Sequence, residues 1–202
     1  MRPSMPRAAM TAGALSVTLA APAAAQTEAT TAKVAKKRLH VRAGQRVAVA
    51  GVAVPGKATA LQVRRRGRWR TVDGDRAAAS GRYLLRGRLH RPMSVPARVK
   101  LGGTARPIGR VNVYRRAAAS WYGPGLYGNR LGCGGTLTAG RIGVAHRTLP
   151  CGSKLTLRHR GRTLRVRVID RGPYAGEREY DLTEATARKL RFRGHGSILT
   201  TR

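Results

Sequence analysis

Residues 168–174 read V-I-D-R-G-P-Y, and the run leading into them, 155–169, sets Leu, Val and Ile against Arg around Arg160-Gly161. Leu155–Leu157 and Leu164–Ile169 therefore read as two strands joined by a tight hairpin, because Arg-Gly between alternating runs is a turn signal. Asp170 ends the second strand just before Gly172-Pro173, and a carboxylate at a strand end beside a turn is well placed for chemistry. Its competing role is structural, as a turn residue accepting the amide of Gly172 or Tyr174. Downstream, Y-D-L-T-E-A-T-A-R-K-L (180–190) predicts a short helix over Leu182–Leu190, with Asp181 and Glu184 at capping-box spacing. Upstream lie G-V-A-H-R-T-L-P-C-G (143–152), which carries His146, and A-S-W-Y-G-P-G-L-Y-G-N-R (119–130), which carries Trp121, Tyr122 and Tyr127.

Working outward, residues 26–37 read as a polar, basic lead-in, and short alternating segments recur across 38–116. They are Arg46–Val52, Thr59–Arg64, Trp69–Val72, Arg82–Leu89, Ala97–Leu101 and Arg110–Tyr114, separated by Pro55-Gly56, Arg66-Gly67, Asp73-Gly74 and Gly102-Gly103. Leu61 and Val63 share one face and Gln62 and Arg64 the other, the period of half-buried strands. The fold class expected is mainly β: a small Ig-like β-sandwich over 38–116, a linker at Ala117-Ala118-Ala119, and a second β module with a short helix over 118–202. Residues 1–25 read as a signal peptide: Arg2 and Arg7, then an apolar Ala/Leu/Val stretch, then Ala23-Ala24-Ala25 before Gln26. The mature chain is then secreted, outside the cytoplasm or associated with the cell wall. No apolar run approaches the roughly 20 residues of a membrane span.

The chain holds 41 Lys and Arg against 8 Asp and Glu, a formal charge of +33, which first suggests a nucleic-acid partner. Export removes that partner and points instead to anionic wall polymers. The excess is +20 on residues 26–117 and +11 on 118–202, and arginines are spread through every segment, so a solvated cationic surface is an equal reading. The acids are more telling, since Asp170, Glu177, Glu179, Asp181 and Glu184 are five of the eight. Glu177 and Glu179 read as solvated loop acids, His159 as an exposed turn residue and His195, between glycines, as structural. Cys133 and Cys151 form an even pair in an exported chain, so a disulfide is expected. A zinc pair lacks the spacing and partners for four ligands, and a thiol acting with His146 would be consumed by the pairing. No cofactor and no metal is called for.

S-W-Y-G-P-G, A-H-R-T-L-P, D-R-G-P and D-L-T, in this order, resemble the rare lipoprotein A (RlpA-like) family over residues 118–202. The resemblance implies a double-psi β-barrel that binds peptidoglycan glycan strands and acts as a lytic transglycosylase. Related barrels in expansins imply the alternative, a non-catalytic peptidoglycan-binding or wall-loosening module. Asp170 matches the family's catalytic acid, His146 a site histidine, and Asp181 a groove residue. Trp121, Tyr122 and Tyr127 would stack on sugar rings or fill the barrel wall, and Arg171 flanks the acid on the substrate side. The family's Glu between Tyr127 and His146 falls on Gly135 here, with Cys133 at the preceding Asn position. One carboxylate suffices for a transglycosylase, because no water need be activated: it protonates the leaving oxygen and then accepts the proton of the MurNAc C6 hydroxyl.

Overall fold

The computed structural model describes residues 32–202, so the signal segment 1–25 and the first residues of the lead-in lie outside the described residues. Strand β1 (Lys33–Arg38) already belongs to the first module: it pairs antiparallel with β3 (Arg46–Val52), which pairs in turn with β6 (Arg82–Arg88). The expected lead-in is therefore an edge strand from Lys33 onward. Its five exposed residues suit an edge, where charge discourages further pairing.

The facing sheet contains β5 (Arg68–Arg76), β4 (Ala58–Arg65), β7 (Met93–Leu101) and β8 (Thr104–Tyr122), and the short β2 (His40–Arg42) adds to β8 in parallel. The two sheets enclose a core in which Val47, Val49, Leu61, Val63, Leu85, Val99, Val111 and Val113 are fully buried. Each contributes roughly 1.5–3 kcal/mol by leaving water. The burial pattern of β6 alternates strictly, so Tyr83, Leu85 and Gly87 face inward while four arginine or leucine neighbours face out.

The alanine run is not a linker. Strand β8 is continuous over 19 residues: its first part lies in the sandwich, and its last, Arg115–Tyr122, is a barrel stave. Ala117 and Ala119 are buried in the barrel core, and β8 pairs with β13 over Arg115–Ala119 and with β12 from Ala119 onward. The module boundary is thus a point along one strand.

The second module adds β9 (Val144–Ala145), β10 (Lys154–His159), β11 (Arg162–Asp170), β12 (Tyr180–Thr183), the helix α1 (Glu184–Leu190) and β13 (Gly196–Thr200). The order β12-β9-β11-β10-β13-β8 closes on itself through a β12–β8 pairing, giving a six-stranded barrel without a free edge. The β10–β11 hairpin turns at Arg160 and Gly161, both at positive φ (44° and 82°), as a two-residue turn requires. His159 is not an exposed turn residue. Its Nδ1 lies 3.2 Å from the Leu190 carbonyl and its ring packs edge-on against Phe192.

The helix also begins differently from its sequence pattern. Thr183, not Asp181, is the N-cap: its Oγ1 accepts from the Thr186 amide, and the Thr183 and Thr186 hydroxyls both bond the backbone of Gly143. Asp181 is held in β12 by strand pairing and so cannot cap. Thr183→Ala should cost about 1–2 kcal/mol, since it removes a cap and a bond to Gly143 together; a urea titration would show it as a lowered midpoint with unchanged slope.

Candidate active site

The site arises from a register. Strand β9 lies between β11 and β12, and its Ala145 pairs with Asp170 on one side and Asp181 on the other. Asp181 pairs in turn with Ser120 of β8. The row Asp170–Ala145–Asp181–Ser120 therefore crosses four strands. Val144, Val168 and Leu182 fill the barrel interior, so the row presents its side chains on the outer wall. A register irregularity between Val168 and Asp170 re-aims the end of β11 and brings Asp170, rather than Ile169, into line. Two strand spacings, about 10 Å between Cα atoms, separate the carboxylates, with only a methyl group between them.

Both carboxylates are held. Asp170 Oδ1 accepts from the Gly132 amide at 2.7 Å and from its own neighbour's amide, Arg171, at 2.8 Å. Gly132 comes from the 128–137 loop, a small hairpin closed by an Arg130–Thr136 bridge and seated on Leu131, Leu137 and Ile169. A side chain at Gly132 would meet the Arg171 stem and Asp170 Oδ1, so the close approach requires glycine. Asp181 accepts from Ser120 Oγ at 2.6 Å, and that oxygen accepts from Arg178 at 2.9 Å. Burial raises the Asp181 carboxyl and the Asp170 charge adds to this, while the Ser120 bond, Arg178 and His195 pull the other way. The Tyr122 hydroxyl is buried without a hydrogen-bond partner, close enough to both carboxylates to feel their charge; burial and then Asp170 raise its pKa.

The predicted site residues do not all converge. Tyr122 alternates onto the carboxylate side with Ser120, so Trp121 points to the opposite face of β8, where it is exposed. The exposed Tyr127 donates its hydroxyl to Glu184, tying the Gly-Pro-Gly loop to α1. The Arg171 guanidinium donates to the carbonyls of His146 (3.1 Å) and Leu149 (2.7 Å) and to Cys151 Sγ (3.0 Å), so three of its five donors hold the 146–151 loop. The disulfide Cys133–Cys151 is formed, and it links that loop to the one that presents Gly132. Gly135 has φ 77°, a left-handed conformation in which a glutamate would be strained.

His146 is buried and does not bond the Asp170 carboxylate. Its amide donates to the Asp170 carbonyl at 3.2 Å, while Nδ1 accepts from the amides of Thr148 (3.1 Å) and Leu149 (3.0 Å). Two backbone donors on Nδ1 leave the ring proton on Nε2, which faces Glu179 Oε1 at 3.6 Å. Glu179 is no solvated loop acid: it is half-buried and makes a two-pronged pair with Arg115. Burial lowers the His146 pKa below 6.5, with Glu179 opposing this and Arg115 and Arg147 adding to it. The unfolded chain then takes up the proton first on acidification, so stability falls as pH drops below 6.5. His40 shifts in the same direction. Thermal melts between about pH 7.5 and about pH 5.5 should show the loss, and His146→Asn, which keeps an acceptor near the Nδ1 position, should reduce it.

Ser120, Ala145, Arg178 and Glu179 were not singled out by the sequence as site residues. Ser120 and Ala145 each stand beside a quoted residue, Trp121 and His146, but only the parallel pairings put them in the row. A concave surface of 440 Å³ is lined by His40 and Tyr114 together with Arg158 and Leu199 of the barrel, and one of 700 Å³ around Lys33 and Pro107 lies in the first module. The carboxylate row is outside both.

A family model described as lytic transglycolase matches residues 115–200. Among curated proteins, a probable endolytic peptidoglycan transglycosylase RlpA of Synechocystis is 38% identical over 100 residues, 44% of this chain and 31% of that protein. The endolytic peptidoglycan transglycosylase RlpA of Pseudomonas aeruginosa is 37% identical over 48% of this chain and 29% of its own length. The chain thus spans about a third of these relatives. Among solved structures, the Streptomyces papain inhibitor matches 43% of this chain and 90% of its own at 25% identity, with a TM-score of 0.36.

Proposed function

We propose that the protein is an exported lytic transglycosylase of peptidoglycan glycan strands, a reading supported by the match of residues 115–200 to the lytic transglycolase family model and by their similarity to RlpA proteins. The observation that carries this reading is the in-register pair Asp170 and Asp181 on the outer wall of the barrel, one strand apart on either side of the small Ala145. Both amide bonds to Asp170 fall on Oδ1, which leaves Oδ2 to act on the substrate.

In the reaction, the Asp170 carboxyl gives its proton to the GlcNAc O4 as the MurNAc C1–O4 bond breaks. The C6 hydroxyl oxygen of the same MurNAc then bonds to C1, and its proton returns to Asp170, closing a 1,6-anhydro ring without water. Asp181 adds negative charge where C1 becomes cationic, and the buried Tyr122 hydroxyl lies behind the two carboxylates, close enough to feel both charges. His146 acts as a positioning residue: its amide fixes the Asp170 carbonyl, and its ring fixes the loop held by Arg171.

Gly135 favours a second reading, a barrel that binds glycan and loosens the wall without cutting it, because the 128–137 loop offers no carboxylate. Incubating the purified protein with insoluble sacculi separates the two. The enzyme releases soluble fragments catalytically, and a loosening protein binds the sacculi and releases none.

A further inference from the structure

We propose that the β4–β5 hairpin binds a linear phosphodiester polymer, a polyol phosphate of the cell wall. Arg64, Arg65, Arg66, Arg68 and Arg70 fall within seven residues around the turn, and all five are exposed. Arg66 and Gly67 form that turn with φ of 47° and 77°, which sets Arg64 opposite Trp69 and Arg65 directly opposite Arg68. Like charges directly opposite across two strands are destabilising, and an anion lying between them removes the penalty.

Further along the sheet, the sixth cation is held ready. The Arg98 guanidinium lies 4.2 Å from the Trp69 ring centroid, and its Nε donates to Gln62 at 2.8 Å, which donates to Thr71. Both faces of the ribbon are therefore cationic at its tip: Arg64 and Arg98 lie with the half-buried Trp69 on one face and the opposed Arg65 and Arg68 on the other, and their planar forks match phosphate oxygens. No carboxylate neutralises it. Asp73 accepts from the Arg86 amide and Asp75 from the Arg76 amide, and the three ion pairs among the described residues involve none of these six arginines.

The charges spread along about 15 Å of strand, so a polymer with regularly spaced phosphates engages several at once, where a single phosphate would be held weakly. A bilayer surface is less suited, because the tip offers no apolar side chain to insert. The choice of a polyol phosphate over other phosphodiesters rests on the proposed location in the wall.

The test measures binding of the full mature chain to soluble poly(glycerol phosphate). The Arg65→Gln/Arg68→Gln variant should bind about tenfold more weakly, with a melting temperature equal to or above that of the wild type. Arg46→Gln/Arg88→Gln, which removes another directly opposed exposed pair on the other sheet, is the charge-matched control and should stay within about twofold. Equal losses in the two variants, or no binding by the wild type, would overturn the proposal. So would tighter binding to phosphatidylglycerol vesicles or to duplex DNA with the same dependence on Arg65 and Arg68. The assay contains no glycan, and Asp170→Asn protein should bind like the wild type, so failure of glycan cleavage and failure of this proposal are read separately.

Discussion

Asp170→Asn is expected to lower fragment release from peptidoglycan about 100- to 10,000-fold while leaving the fold intact. The substitution is unusually clean at this position. The carboxylate accepts two backbone amides on one oxygen, from Gly132 and Arg171. An amide side chain still presents an oxygen to both, so the 128–137 loop keeps its seat and the melting temperature should hardly move. What is lost is the ability to release and recover a proton at the other oxygen. A large fall in melting temperature with a proportionate fall in activity would instead assign Asp170 the turn role alone. Asp181→Asn should be milder, because Ser120 can still bond the side-chain oxygen and the loss is of neighbouring charge.

The second large effect is expected from the disulfide. Cys133 and Cys151 lie 18 residues apart, and a cross-link of that span stabilises by about 3 kcal/mol in the chain-entropy model. For a chain of this size, Cys133→Ser/Cys151→Ser should lower the melting temperature by roughly 6–12 °C. Activity should fall further than stability explains at temperatures where the variant is still folded. Cys133 adjoins Gly132, which holds Asp170, and Cys151 accepts a bond from Arg171, which holds the His146–Leu149 loop. Removing the cross-link loosens both supports of one carboxylate. Full activity in the folded variant would show that the hairpin keeps its place without the bridge.

The local elements of the barrel are legible from residue order alone. Arg160-Gly161 between alternating runs specifies a hairpin, because two-residue turns depend on the residues in them. The two cysteines likewise pair, as expected of an even pair. Contacts set by distant strands are not legible. Nothing in A-H-R-T-L-P states that Ala145 separates Asp170 from Asp181, since that follows from β9 lying between β11 and β12. His146 and Arg171 have the chemistry of site residues, yet the backbone of the 146–149 loop engages Nδ1 of the one and an amino group of the other. Asp181 has capping-box spacing to Glu184, and strand pairing overrides that local preference in favour of Thr183. The alanine run has the composition of a linker and the environment of a paired barrel strand. In each case the same residue type satisfies two local rules, and a long-range pairing decides between them.

The central claim is that Asp170 drives an intramolecular displacement on a glycan strand, and the chemical form of the new chain ends tests it most directly. Wild-type protein is incubated with purified peptidoglycan, and the soluble products are weighed by mass spectrometry alongside those of Asp170→Asn. The account predicts 1,6-anhydro-MurNAc ends, one water lighter than reducing ends, from the wild type and nearly none from the variant. Reducing ends from the wild type, no fragments at all, or equal anhydro product from Asp170→Asn would contradict it.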